Sequence, residues 1–460
     1  MSNPPNDIMN VSHATNQKIV SRKQMITAIT ASIVGWAFDL FDLFILLFVA
    51  PTIGKLFFPA TDPMLQLAAT YASFAVTLLM RPVGSALFGS YADRYGRKRA
   101  MMIAVVGVGV ATALFGTLPT FGKIGIAATV LFIILRLIQG VFVGGVVAST
   151  HTIGTETVSP KYRGLMSGLI GGGGAGLGAL MASIVFLAVS SIFPGSEFEV
   201  WGWRVMFFTG IISSIFGLFI FRSLEESPAW VNAQKEKSNG NKPQKTPIRT
   251  LFSRQYSFVL FVNLLLTIGG GTAYYLTAGY LPTFLKVVNG TSPNIVSVTL
   301  IITSIAMILS TAFGGYISDV IGRKKTFLIS GITCLIALPL LFKQLGQATD
   351  GTSIIVYASI IVFIAQITYA PTLIFLNERF PTAVRSTGTG ISWNLGFAIG
   401  GTMPTFVSLA SKTPQSIPQV LGYFFIGVFI LYLIGSLIIP ETKGKMSESN
   451  EKLQSKTMVS

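Results

Sequence analysis

Apolar residues along this chain fall into long runs separated by short polar stretches, and the length of those runs determines the fold class. A helix needs about 20 consecutive apolar residues to cross the hydrocarbon core of a bilayer. Twelve runs come close to or exceed that length, which predicts an all-α integral membrane protein with twelve transmembrane helices. The predicted spans cover residues 25–50, 66–92, 100–118, 124–155, 164–190, 203–222, 256–282, 295–317, 326–345, 353–377, 384–410 and 418–439.

The composition of the chain supports a membrane protein. Hydrophobic residues make up 51% of the chain and charged residues only 11%, whereas a soluble domain has about 25% charged residues. Cys334 is the single cysteine, which excludes a disulfide framework and a cysteine metal site.

The distribution of basic residues indicates which side of the membrane each loop occupies. The formal net charge is +16, and most Lys and Arg residues lie in five connections, which are residues 93–99, 156–163, 223–255, 318–325 and 378–385. Basic loops stay on the cytoplasmic side during insertion. We therefore expect these connections and both termini to be cytoplasmic, in a multi-pass protein of the cytoplasmic membrane that does not bind nucleic acid.

The two halves of the chain repeat each other. The loop at residues 89–99, after the second span, has a counterpart at residues 315–325, after the eighth. A Glu and an Arg seven positions apart follow the fourth span and again the tenth, at residues 156–163 and 378–385. Such duplication predicts five parts, which are a cytoplasmic tail 1–24, a six-helix bundle 25–222, a cytoplasmic linker 223–255, a second six-helix bundle 256–439 and a cytoplasmic tail 440–460.

These motifs resemble those of the major facilitator superfamily. The first loop has the pattern G-x-x-x-D-R-x-G-R-K from residue 89, and the fourth span has R-x-x-Q-G from residue 136. The first-span pattern W-x-x-D-x-x-D from residue 36 is similar to that of proton symporters for organic acids, including the sialate, lactate, aromatic-acid and metabolite groups. The resemblance implies two pseudo-symmetric six-helix bundles that open the central site alternately to either side of the membrane.

The first span contains two acids, Asp39 and Asp42, near its middle. An acid at the centre of a membrane helix costs about 2.5–3.5 kcal/mol on insertion scales, and positions three apart lie on one side of a helix. We therefore predict that both acids line a cavity and take part in proton coupling. Arg136, in the fourth span, is the expected partner of one acid when no substrate is bound; a static ion pair is the alternative.

Arg136 and Gln139 are also the predicted contacts for a substrate carboxylate, because a guanidinium can hold a carboxylate through two hydrogen bonds. Polar and aromatic residues of the second half would contact the uncharged part of the substrate. These residues are Tyr274, Tyr275, Gln366, Tyr369 and Asn394. Helix–helix contact is the alternative role for each of them.

The repeated loops predict a gate that closes the cytoplasmic side through charge pairs and helix N-termini. Its predicted members are Gly89, Asp93, Arg94, Gly96, Arg97, Glu156, Arg163, Asp319, Gly322, Arg323, Glu378 and Arg385. The alternative is that these charges only set the topology. Arg81, at the inner part of the second span, is expected to reach the membrane boundary and to be structural.

The fifth span contains the glycines at 168, 171–174, 176 and 178. Glycines at such spacing predict a surface on which another helix packs closely and slides, since they let backbones approach. A nucleotide site is excluded because no Lys-Ser or Lys-Thr follows these glycines and no strand precedes them.

Together these features predict a monomeric secondary transporter that moves a small organic anion with protons and needs no cofactor other than a proton gradient. A proton-coupled exporter or exchanger of hydrophobic compounds is the alternative within transport. A membrane sensor that binds a ligand without moving it is the alternative from another class. An enzyme is disfavoured, since the chain has only two histidines and no His/Cys metal set.

Overall fold

The computed structural model of the chain is almost entirely helical and describes residues 22–95, 97–156, 160–222, 254–380 and 385–445. A segment in lipid must satisfy its backbone hydrogen bonds internally, which a helix does along its whole length. The long helices therefore follow from the apolar runs, and the polar stretches between them form the turns. Nearly all of the predicted linker and most of both predicted tails lie outside the described residues.

The described part of the first half contains nine α-helices, several of them joined end to end into one span. They are α1 Arg22–Phe57, α2 Pro63–Tyr95, α3 Arg97–Thr117, α4 Phe121–Ile124, α5 Ile126–Glu156, α6 Arg163–Gly168, α7 Gly174–Ile192, α8 Trp203–Phe208 and α9 Gly210–Arg222. A 3-10 turn at Pro160–Tyr162 precedes α6, and π-helical turns at Leu169–Gly173 and Phe198–Gly202 lead into α7 and α8.

The described part of the second half contains eight α-helices. They are α10 Arg254–Tyr274, α11 Leu281–Val287, α12 Pro293–Ile321, α13 Arg323–Gln347, α14 Gly351–Tyr369, α15 Thr372–Arg379, α16 Arg385–Ala410 and α17 Ile417–Ile438. A π-helical turn at Tyr275–Gly279 follows α10, and a 3-10 turn at Pro414–Ser416 precedes α17.

The observed helices match the predicted spans in order. Eleven helical stretches of the described chain are long and apolar enough to cross a membrane, and they correspond to every predicted span except the eleventh. At the eleventh position the structure has α16, a continuous helix of 26 residues. Polar residues such as Ser392 and Asn394 lower its hydropathy, and α16 packs between α2 and α10, where these residues are buried. The predicted all-α membrane fold is therefore confirmed.

Helix α1 lies at the centre of the molecule. Every residue from 40 to 50 is buried, and α1 packs against α2, α5, α7 and α9 of its own half and α11 of the other. A membrane helix that faces lipid on no side can hold polar groups without exposing them to hydrocarbon. The central position of α1 explains how its two acids are tolerated.

The two halves meet along α6–α7 against α12, and along α2 against α16. Glycines at every fourth position of the fifth span, at 164, 168, 172 and 176, face α12. A Cβ atom added at Gly168 would collide with the carbonyl oxygen of Thr311, and one at Gly176 would lie 2.6 Å from a side-chain carbon of Ile308. The predicted close-packing surface is therefore present, and its partner is a helix of the opposite half.

Candidate functional site

Asp39 on α1 and Arg81 on α2 form a buried pair in the middle of the molecule. Nη2 of Arg81 lies 3.9 Å from Oδ2 of Asp39, and the side chains are 10% and 2% exposed. This distance is too long for a hydrogen bond. Among the described residues, neither carboxylate oxygen of Asp39 nor Nε of Arg81 has a hydrogen-bond partner. The pair is therefore loose, and both groups can accept a further partner.

The position of Arg81 differs from the sequence-based expectation. Arg81 was expected to extend to the membrane boundary, but the residue is only 8% exposed. The nearby carboxylate of Asp39 explains the difference, because an opposite charge compensates a guanidinium that leaves water. The sequence signal that could have revealed this role is the presence of Arg81 and Pro82 inside an otherwise apolar run.

Asp42 is buried near Asp39 on the same helix but has different neighbours. A Cβ atom added at Gly210 of α9 would lie 3.2 Å from Oδ1 of Asp42 and 2.5 Å from a methyl carbon of Thr112. Asp42 therefore lies against the backbone of α9, inside the first half. The structure therefore gives the two acids of α1 different neighbours, Arg81 for Asp39 and α9 for Asp42.

Arg136 on α5 lies in a third environment. Its guanidinium lies over the rings of Phe115 and Phe132, at 4.2 and 5.1 Å from the ring centroids. Nη1 donates a 2.8 Å hydrogen bond to Gln139, whose amide nitrogen donates another to Thr112 at 2.8 Å. One of the two acids, Asp39 or Asp42, was expected to pair with Arg136. The structure places Arg81 beside Asp39 and gives Arg136 aromatic and amide partners.

The predicted substrate residues of the second half converge on the Asp39–Arg81 pair. The ring of Tyr274 lies 5.0 Å from that of Tyr275 and 5.6 Å from that of Tyr369, by centroid. All three rings are within electrostatic reach of Asp39 and Arg81. The predicted set therefore divides into two groups, one around this pair and one around Arg136 inside the first half.

Two further predicted residues lie on the helices that border this group. Gln366, one turn before Tyr369 on α14, is fully buried, and no described residue bonds to its amide oxygen or nitrogen. Asn394 on α16 is buried next to Trp393. Sequence reasoning considered Trp393 for the uncharged part of the substrate but did not select Phe397. The rings of Trp393 and Phe397 stack at 3.8 Å, and both touch Tyr369.

The predicted gate can be examined in the second half, at the end of the molecule where α12 meets α13, which we name the Asp319 end. The backbone N–H groups of Gly164 and Leu165, at the start of α6, each donate a 2.8 Å hydrogen bond to the carboxylate of Asp319. Arg323 bonds to Asp319 at 2.8 Å and to Glu378 at 3.1 Å. The hydrogen bonds from Gly164 and Leu165 join the two halves at this end, and the bonds of Arg323 hold Asp319 and Glu378 together within the second half.

Glu441 completes the Asp319 end from the C-terminal side. Its carboxylate accepts hydrogen bonds from the backbone N–H groups of Arg323, Lys324 and Lys443. Gly322 has a φ of 98°, and a Cβ atom there would collide with the carboxylate of Glu441. Only glycine therefore fits this turn of the second-half loop.

The other members of the predicted gate stay predictions. The structure describes no side-chain environment for Gly89, Asp93, Arg94, Gly96, Arg97, Glu156 and Arg385. Arg163 begins α6 and is partly buried.

The opposite end, which we name the Lys286 end, also joins the two halves. Nζ of Lys286 on α11 donates a 3.1 Å hydrogen bond to the carbonyl of Phe48 and lies 4.6 Å from the ring centre of Phe186. The hydroxyls of Tyr71 and Thr283 are 2.8 Å apart. Contacts at both ends are what an occluded intermediate of alternating access requires.

Comparison with known proteins identifies the family. A model of the Major Facilitator Superfamily matches residues 27–403 and, in a second match, residues 264–456. The "Inner membrane metabolite transport protein YhjE" of Escherichia coli K12 is 31% identical over 422 residues, which are 90% of this chain and 94% of that protein. A "Proline/betaine transporter" of the same strain is 27% identical, over 93% of this chain and 86% of that protein.

Solved structures agree on the fold. The partially occluded inward-open form of the xylose transporter XylE from Escherichia coli superposes with a TM-score of 0.71 at 18% identity. The match covers 91% of this chain and 99% of that protein. The relatives are transporters rather than enzymes, and the spans make this chain a multi-pass membrane protein. Because the family model matches most of the chain, and because the fold and the sequence relatives agree with it, the chain belongs to the major facilitator superfamily and is a secondary transporter.

Proposed function

We propose that this transporter is a proton-coupled symporter of a small metabolite that contains a carboxylate, and that Asp39 and Arg81 form its coupling pair. The supporting observation is the loose, buried pair itself, with 3.9 Å between the charged atoms and no other bonds from Asp39 to described residues. An ion pair that only held two helices together would gain from closer, hydrogen-bonded geometry.

The coupling step follows from charge balance. A proton that binds Asp39 neutralises the carboxylate and leaves the buried guanidinium of Arg81 without an anion. A buried guanidinium needs an anionic partner, which the substrate carboxylate supplies. After release, Asp39 loses its proton and pairs with Arg81 again. Proton and carboxylate therefore bind together, and neither crosses alone.

The two ends provide the gates of an alternating-access cycle. In this proposal the contacts at the Asp319 end break when the site opens to the cytoplasm, and those at the Lys286 end break when it opens outward. The proton gradient supplies the energy, no cofactor is needed, and one chain contains the whole site. The relatives support a carboxylate, since proline and betaine, named for one relative, both contain one.

The test is uptake into proteoliposomes under an imposed pH gradient, with a panel of radiolabelled carboxylates. We expect accumulation by the native protein, with loss of proton-driven accumulation in Asp39→Asn and loss of uptake in Arg81→Gln. The loss should be about 100-fold or more, because a buried charge without its partner costs about 3–5 kcal/mol. Glu199→Gln is the control, since this acid pairs with Lys55 at an exposed site.

Two results would contradict the proposal. One is accumulation by Asp39→Asn that still follows the pH gradient. The other is uptake by the native protein that ignores the gradient for every carboxylate of the panel.

A further inference from the structure

A groove runs along the membrane-facing side of the second half, next to the Asp319 end. It has a volume of about 500 Å³ and lies between α12, α13 and α14, so we name it the α12–α14 groove. Its apolar walls include Phe313 and Val320 of α12, Ile329 of α13 and Ile367 of α14. Val320 and Ile329 are more than half exposed. The groove is therefore open toward the surrounding lipid.

The depth of the groove suits an acyl chain. Its lining extends along α12 from Ile321, the last residue of that helix, to Phe313, eight positions earlier. At 1.5 Å per residue this is about 12 Å, close to the hydrocarbon depth of one leaflet, which is about half of 30 Å. The groove therefore lies within the leaflet on the side of the Asp319 end.

The surface of the groove suits hydrocarbon as well. The hydroxyls of Thr326, Ser330 and Thr333 line it, and each donates its hydrogen to a backbone carbonyl of α13 or of the residue just before that helix. These groups therefore need no partner from a ligand. Tyr316, half exposed, is the remaining polar side chain of the lining. Tyrosine is common where lipid headgroups meet hydrocarbon.

Basic side chains border the groove where it reaches the Asp319 end. Nζ of Lys443 donates a 3.1 Å hydrogen bond to the carbonyl of Val320. Lys325 lies four positions before Ile329, so it continues the groove-lining side of α13 by one turn. Both lysines are exposed, and neither forms an ion pair with a described acid. The carboxylate of Glu441 accepts backbone N–H groups instead.

The position of Lys325 is not explained by the stability of its helix. Lys325 lies in the first turn of α13, which contains no acidic residue. A cation there is unfavourable, because the helix dipole is positive at the N-terminus. Arg323 in the same turn pairs with Asp319 and Glu378, but Lys325 has no such partner among the described residues. An anionic group beside Lys325 would offset this cost.

We propose that an anionic phospholipid binds at this place, with one acyl chain in the α12–α14 groove and its headgroup phosphate at Lys325 and Lys443. An ammonium has three donors, and Lys443 uses one of them on Val320, so others remain for a phosphate. This site is separate from the Asp39–Arg81 pair and does not depend on proton coupling. Because Val320 follows Asp319 in α12, the lipid would contact the same turn that joins the two halves.

The test compares two lipids with the same acyl chains and different headgroup charge, which are dioleoylphosphatidylglycerol and dioleoylphosphatidylcholine. The purified full-length protein is freed of lipid in detergent and exposed to an equimolar mixture of the two. Native mass spectrometry then counts the lipids that stay bound. Two basic side chains near the headgroup should favour phosphatidylglycerol by about tenfold or more.

A charge variant and a matched control connect this preference with the two lysines. Lys325→Gln together with Lys443→Gln removes both charges, so the preference for phosphatidylglycerol should fall by about fivefold or more. Lys343→Gln together with Lys412→Gln is the control. Both of these lysines are exposed, the first near the C-terminal end of α13 and the second just after α16, and neither borders the groove.

A second variant tests the groove itself. Ile329→Trp places a larger side chain in the groove and should reduce the amount of bound phosphatidylglycerol. Ile336→Trp is its control, since Ile336 is similarly exposed on α13 but does not line the groove. A phosphate that bound the lysines without an acyl chain would be unaffected by either change.

Each outcome supports or overturns the proposal. Equal retention of the two lipids by the native protein, or retention of neither, overturns it. A preference that survives in full without Lys325 and Lys443 overturns it too, because other basic loops would then explain the preference. Equal binding to Ile329→Trp and Ile336→Trp would show that no acyl chain occupies the groove. If one variant fails to fold, the other variant with its control decides.

Discussion

Glu441 illustrates how one side chain can hold a turn together at the residue scale. Its carboxylate lies at the turn between α12 and α13 and collects backbone N–H groups from both sides of that turn. Partial burial raises the pKa of this carboxyl, but the hydrogen bonds from the backbone of Lys443, Arg323, Thr442 and Lys324 outweigh burial and lower it. The charged form of Glu441 therefore stabilises the folded turn.

A pH dependence follows from this direction. Because the folded pKa of Glu441 lies below that of an unfolded glutamate, its stabilisation is present above about pH 4.3 and is lost as the pH falls through the folded pKa. We expect Glu441→Gln to lower the Tm near neutral pH, and the difference from the native protein to vanish in acid. Thermal unfolding of the detergent-solubilised protein at a series of pH values measures this.

Glu199→Gln is again the control for this experiment, because an exposed ion pair contributes only about 0–1 kcal/mol. A difference between Glu441→Gln and the native protein that stays constant down to the most acidic pH would show that the charge of Glu441 plays no part.

The glycines of the fifth span matter at the scale of whole elements. Those at 164, 168, 172 and 176 lie against α12, and Gly174 and Gly178 lie against α1. One helix thus has two glycine surfaces, one toward the other half and one toward its own. Because small residues let helix backbones approach, this helix can contact both neighbours without large side chains that would have to move.

We predict that Gly168→Ala slows transport and lowers stability. The added Cβ would meet the backbone oxygen of Thr311, which cannot move without shifting α12, and overpacking of this kind costs about 1–3 kcal/mol. Gly173→Ala is the matched control, since a Cβ there finds its nearest neighbour at 3.6 Å, within the same span. Initial uptake rate and Tm of both variants measure the effect. Equal behaviour of the two variants would contradict a role for close packing against α12.

At the scale of the whole molecule, the two halves touch at both ends, so the balance between the ends decides which side opens. Asp319 accepts hydrogen bonds from the backbone of the opposite half at one end. Lys286 bonds to the backbone of the opposite half at the other end. Hydrogen bonds that involve a charged group contribute about 1.5–3 kcal/mol each, so their loss shifts a two-state equilibrium by about tenfold or more.

We therefore predict opposite shifts for Asp319→Asn and Lys286→Met. The first variant should favour opening at the Asp319 end, and the second should favour opening at the Lys286 end. Spin labels at Lys161 and Val320 span one end, and distance distributions between them measure its opening.

Labels at Asp62 and Asn294 measure the Lys286 end in the same way. Both distances are recorded in the native background and in both variants. A shift of both variants in the same direction would contradict the assignment of the two ends as opposing gates.

The sequence by itself determined the helices and the positions of the charged residues inside them. Run length is a local property, so the twelve helices could be predicted from the chain, and the insertion cost of Asp39, Asp42 and Arg136 marked them as residues that cannot face lipid. The repeated loops likewise indicated the family and the contacts around Asp319. Each of these motifs is formed by residues that are close in the chain, and the repeat follows from comparing two such motifs.

Only the tertiary structure decided which of these groups meet. Asp39 pairs with Arg81 rather than with Arg136, and rings from four helices converge on that pair. The tertiary structure also decided that the polar residues of α16 are buried, because α16 packs between α2 and α10. The physical reason is that a pairing depends on how each helix is rotated and which helix lies beside it. Packing across the whole molecule sets the rotation of each helix and the identity of its neighbours. The local sequence pattern of a span contains no information on either.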